Sequence, residues 1–139
     1  MDTEKLWKRF QQHMGYTDDE MKIFRSDPAK VKMVTECSDF VKTRIVAEVV
    51  EAQGCHAQHK VGDKIVMNGN GQLLTEQCPQ KLCVFAVSAL ESSVNRIYER
   101  FVGHSDPEYK LKDVVQCHDI GLDKGGWGKV LMKVSVEKI

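Results

Sequence analysis

Apolar positions along the first forty residues recur at helical spacing. Leu6, Trp7, Phe10 and Met14 fall at i, i+3/i+4 intervals behind a capping Asp2 or Thr3, which predicts a helix stopped by Gly15. "TDDE" then forms a capping box, with Thr17 as N-cap and Glu20 three positions on. Met21, Ile23 and Phe24 supply the apolar side of this second helix. Asp27–Pro28 breaks it, and Pro28 suits the first turn of a third helix running through Val31 and Val34.

From Lys42 the period changes. "KTRIVAEVVEAQG" is rich in β-branched residues and ends in glycine, the mark of a strand. "KIVM" predicts a second strand, and "NGNGQ" a tight turn. "VFAVSALESSVNRIYERFV" places Val84, Val87, Leu90, Val94, Ile97, Tyr98 and Phe101 on one face of a long helix. "LKDVVQC" and "GKVLMKVSVEKI" read as two closing strands around the glycine-rich "GLDKGGWG". The order α-α-α-β-β-α-β-β predicts an α+β fold: a small, mainly antiparallel sheet packed by one long helix, with an N-terminal helical extension. The expected division is 1–40 for the extension and 41–139 for the α+β domain.

Charge removes some classes of function. Lys plus Arg and Asp plus Glu each number 20, so the basic excess that attracts nucleic acid is missing. No apolar run approaches the roughly 20 residues of a membrane helix. The charged start "MDTEKLWKRF" has no apolar core of the signal-peptide kind, and a cytoplasmic location is expected. The apolar stripe of the first helix needs cover. The N-terminal helices are therefore the candidate contact for a homo-oligomer or a partner enzyme.

The chemistry gathers around cysteine and histidine. The five cysteines, an odd number, cannot all pair within one chain. Cys37, on a helical segment, reads as core. Cys55 and His59 follow the first strand, Cys78 and Cys83 flank the entry to the long helix, and Cys117 and His118 end the third strand. Such element ends can converge on one rim of a sheet. Thiolate and imidazole hold zinc, and thiolates hold iron–sulfur clusters. Cys83, at the helix start, is placed for thiolate stabilisation by the helix dipole. His59, before the turn "KVGD", is the best base or ligand. His13 and His104 read as surface or helix-end residues, and His56 as solvent-facing. Asp63 reads as the cap of the Gly62 turn rather than as a general base, and Trp127 as packing over the sheet edge rather than as a platform for a stacked ligand. The spacings Cys55-x3-His59 and Cys78-x4-Cys83 match no standard zinc knuckle or finger.

The pattern "GC…HKVGDKIVM", then "CVFAVSAL" opening a helix, then a late cysteine with aspartate, resembles an uncharacterised family of small Cys/His-motif proteins from anaerobic bacteria and archaea. The resemblance covers Lys42 to Ile139. It carries the family's Cys, His-Lys-x-Gly-Asp, Cys-Pro-x-Ala and Cys-Pro-Asp motifs onto Cys55, His59, Lys60, Gly62, Asp63, Cys83, Ala86, Cys117 and Asp119. Val84 and His118 stand where the family has proline, and Cys78–Pro79 is an alternative match to the Cys-Pro pair. What the resemblance implies is a common site built from these cysteines and His59.

Three readings follow. In the first, Cys55, His59, Cys83 and Cys117, with Cys78 and His118 as further donors, bind zinc, iron or an iron–sulfur cluster in a protein of anaerobic metabolism. In the second, a metal-free enzyme acts on a small-molecule substrate with Cys83 or Cys117 as nucleophile or redox thiol and His59 as base. In the third, the cysteines are core and the N-terminal helices dock on a partner.

Overall fold

The computed structural model describes residues 2–36, 42–104 and 113–138. Cys37 and the side chains of Phe101 and His104 lie outside that description. The chain divides into two compact units, Met1–Asp39 and Phe40–Ile139.

The first unit contains α1 (Thr3–Met14), α2 (Asp18–Arg25) and α3 (Pro28–Glu36). The Asp2 carboxylate accepts from the Glu4 N–H, and Gly15 ends α1 in the left-handed region at φ 71°. The Thr17–Glu20 capping box is complete. Part of the α1 stripe packs on α2, through Trp7 and Phe10 against Phe24, while Met14 is 44% exposed. Trp7 is buried and meets Phe10 and Phe24 edge-on, at ring-centroid distances of 5.9 and 6.4 Å. The Arg25 guanidinium lies 4.4 Å from the Trp7 ring centroid. Ile23, expected on the apolar side of α2, is 71% exposed, and Met21 and Phe24 carry that side instead.

The second unit is an α+β layer. Strands β1 (Thr43–Gln53), β2 (Lys64–Asn68), β3 (Asp113–Gln116) and β4 (Lys129–Lys138) form a four-stranded antiparallel sheet in the order β2-β1-β4-β3. Register stacks Ile65, Ala47 and Val134 across three strands, and Met67, Ile45 and Val136 beside them. Ile45, Val49, Ile65, Val130, Met132 and Val134 are fully buried. Each such side chain contributes about 1.5–3 kcal/mol relative to exposure. Between Val49 and Glu51 the β1–β4 register slips by one residue, a β-bulge at the end of β1 that leads to the cysteines.

The expected long helix is divided. α4 (Val84–Ala89) ends at Leu90, whose N–H turns back to the Val87 carbonyl, and α5 (Glu91–His104) follows. The buried stripe nevertheless runs across the break at unbroken helical spacing. The buried positions are Ala86, Ala89, Leu90, Ser93 and Ile97, while Val84 is 69% exposed and Tyr98 40%. Small side chains at Ala86, Ala89 and Ser93 let the helix backbone approach its neighbours. Ser93 Oγ donates to Asp113 at 3.0 Å, and Arg96 pairs with the same carboxylate, joining α5 to β3. Among the described residues no helix is long and apolar enough to cross a membrane.

Ile45 is wholly buried at the centre of the sheet. Ile45→Ala is expected to destabilise this unit by about 3 kcal/mol, through lost transfer energy and a residual cavity. Urea unfolding followed by far-ultraviolet circular dichroism measures the loss.

Candidate functional site

The sheet's own connections build the site at the end of β1. Gly54 leaves that strand in the left-handed region, and a Cβ there would meet the Trp127 carbonyl oxygen at 2.9 Å. A Cβ on Gly128 would lie 2.1 Å from the Gln53 carbonyl oxygen and 2.3 Å from that of Gly54. Two backbones meet here with no room for side chains, so the Cys55 loop is pressed against the start of β4. The chain turns at once, with the Gln58 N–H donating to the Cys55 carbonyl at 3.0 Å. Gln58 sits at φ 63°, the one non-glycine residue with positive φ among those described. That strained position sends the next residue, His59, inward.

His59 is 5% exposed. Its Nε2 accepts a hydrogen bond from the Cys83 N–H at 3.3 Å, and its Nδ1 faces Asp63 Oδ2 at 4.0 Å. An Nε2 that accepts this bond turns the other ring nitrogen, Nδ1, toward Asp63. Asp63 also caps its own turn, taking the Lys60 N–H at 3.1 Å, as the sequence suggests. Cys83 is the N-cap residue of α4. Cys117 follows β3; it is buried, and its N–H donates to the Val130 carbonyl at 2.9 Å. The next N–H, of His118, donates to the Phe85 carbonyl at 3.1 Å and closes the site against α4.

Cys55, His59, Cys83 and Cys117 therefore line one pocket of about 260 Å³, together with Phe85, Ala86, Trp127 and Val130. Cys78 lies elsewhere. Its thiol accepts from the Val66 N–H at 3.3 Å and donates to the Val66 carbonyl at 3.4 Å, so it serves β2. The His118 side chain is exposed and outside the lining. No disulfide links Cys55, Cys78, Cys83 or Cys117. Among the described residues, no three His, Cys, Asp or Glu side chains are already gathered as a group that could hold a metal ion.

The far wall is held by Asp119. Its Oδ1 accepts from the Gly121 and Trp127 N–H groups at 3.0 and 3.1 Å, and its Oδ2 from the Gly128 N–H at 3.2 Å. The backbone donor of Gly121, aided by those of Trp127 and Gly128, holds the carboxyl below its ordinary pKa, outweighing a smaller desolvation effect. The loop so fixed presents Trp127, 68% exposed, with His56 stacked on its indole at 4.8 Å and 10°. Trp127 differs from the sequence expectation in not burying itself on the sheet edge, whereas His56 is exposed as expected and adds a ring partner. Three glycines around one tryptophan, in "GGWG", were the available signal, since Gly126 and Gly128 are sites of close backbone approach.

Comparison of the chain with protein-family models, with curated proteins and with solved structures gives no match.

Replacing His59 by Phe leaves the Cys83 N–H without its acceptor, an expected loss of about 1–3 kcal/mol. His59→Gln, whose amide oxygen reaches a similar position, is expected to recover at least half of it in the same urea titration. For Asp119 the sign is that of a carboxylate with a depressed pKa. Its contribution is complete above about pH 4 and lost as the pH falls through the folded-state value. Asp119→Asn is therefore expected to lower the melting temperature near neutral pH, with the gap from the parent protein closing toward pH ~3. Thermal melts across that range measure it.

Proposed function

We propose that Cys55, Cys83 and Cys117 hold a soft metal ion, zinc or iron, in a small cytoplasmic protein. The observation that carries this reading is that three thiols from three separate connections line one pocket. Thiolates are the donors such metals prefer. Three protein thiolates leave a fourth position for a ligand or substrate, as in catalytic rather than closed structural sites. An iron–sulfur cluster held by four cysteines would need a donor beyond these three. The His59 imidazole, engaged at Nε2 by the Cys83 amide, fits a positioning role behind Cys83 better than a place in the ligand set. The resemblance to Cys/His-motif proteins of anaerobes extends the proposal to anaerobic metabolism.

A metal-free thiol chemistry is the second reading. It is favoured by the dispersed arrangement of the donor side chains among the described residues. In that case the reactive group is a redox thiol of Cys83 or Cys117. A His59 base is disfavoured, because its Nε2 already accepts a hydrogen bond.

Protein purified without oxygen and without a histidine tag is expected to carry about one equivalent of zinc or iron by mass spectrometry. Cys55→Ser, Cys83→Ser and Cys117→Ser should each weaken metal binding by more than the roughly 10–100-fold that loss of an outer-shell partner costs. Cys78→Ser should retain the metal. A parent protein that takes up neither metal on titration overturns the metal reading, and a single fast-reacting thiol in that protein would establish the second.

A further inference from the structure

The walls of the pocket, apart from its thiols, have a character of their own. Phe85, Ala86, Trp127 and Val130 make them largely carbon. Two charged side chains reach the lining, and both have partners. The Asp119 carboxylate holds three backbone N–H groups, and the Lys129 ammonium lies 3.8 Å from Glu51. In the metal-free pocket an entering anion would share Lys129 with Glu51, and an entering cation would compete with the three N–H groups on Asp119. The volume, about 260 Å³, falls just below the range of roughly 300–1,000 Å³ typical of drug-sized ligands. That is room for a single ring with a small substituent.

At one side stands an aromatic shelf. Trp127 is the most solvent-exposed of the pocket's aromatic side chains, and its indole already carries one flat group, the His56 ring, in parallel stacking. The shelf is rigid because Trp127 is bracketed by Gly126 and Gly128, both packed against backbone, and its N–H is held by Asp119. A pre-set surface of this kind binds a planar group with little ordering cost.

We infer that this pocket binds a small, uncharged, single-ring aromatic molecule stacked on Trp127. The inference rests on the walls and not on the thiols, and it stands independently of whether the thiols carry a metal.

The test uses the full chain, metal-free and zinc-loaded, with benzyl alcohol, benzoate and benzylammonium as probes. Binding is read from the indole N–H resonance of Trp127, assigned by comparison with Trp7→Phe, and from ligand-side saturation-transfer NMR. Benzyl alcohol is expected to shift the Trp127 resonance saturably, with benzoate and benzylammonium at least about tenfold weaker on the metal-free protein. Trp127→Ala, at an exposed side chain, should fold normally and lose about tenfold or more in benzyl alcohol affinity. Absence of saturable binding in both metal states, equal binding of the charged probes by the metal-free protein, or unchanged affinity in Trp127→Ala would each overturn the inference. Binding to the metal-free protein upholds it even if titration shows that the thiols take no metal.

Discussion

The close meeting of Gly54 and Gly128 is the constraint on which the site depends. The last pair of the β1–β4 ladder, Gln53 with Lys129, fixes where one strand leaves the sheet and the other enters. One residue further on, the two backbones are too close for any side chain. Cys55 emerges just past this junction into the pocket that it shares with Val130, whose carbonyl holds the N–H of Cys117. A side chain on Gly128 would separate the two strand ends, and with them the two thiols that belong to different halves of the unit. The glycine pair has no part in any chemistry, yet it decides which chemistry can be assembled.

Around that junction, hydrogen-bonding groups are matched inside the site rather than left for a ligand. His59 engages the Cys83 amide, Asp63 closes its own turn, and Asp119 gathers three amides of the facing loop. Each holds a loop that the apolar core does not reach. The thiols are the groups left to react, and the surrounding surface is largely hydrocarbon. Such a setting favours soft donors and uncharged partners, because hard ions are best served by the water they would have to leave.

Much of this arrangement is legible in the sequence where local chemistry governs. The Thr17–Glu20 box, Gly15, the turn after Asn68 and the period-two strands each rest on neighbours within a few residues. The placing of cysteines at element ends is legible for the same reason, and Cys55, Cys83 and Cys117 do share a pocket. What is not legible depends on distant partners. The face of the helix after Cys83 is set by how closely the small residues Ala86, Ala89 and Ser93 approach their neighbours, not by where its largest apolar residues fall. Cys78 and Cys83 look alike as sequence, but the Val66 backbone satisfies one thiol, and that pairing spans twelve residues. Trp127 reads as packing over the sheet edge, and only the loop held by Asp119 explains why it stands in solvent.

The extra residue in β1 has an effect on parity. Before it, the odd-numbered Ile45, Ala47 and Val49 point inward; beyond it, Glu51 and Gln53 are exposed and the even-numbered Ala52 takes the inner side. The strand changes phase just before it delivers Cys55. From Val50 to Gln53, therefore, the spacing carries more information than the letters. Substitutions there alter a half-exposed surface, whereas the gain or loss of a single residue would turn the whole approach to the thiol onto the opposite face of the sheet.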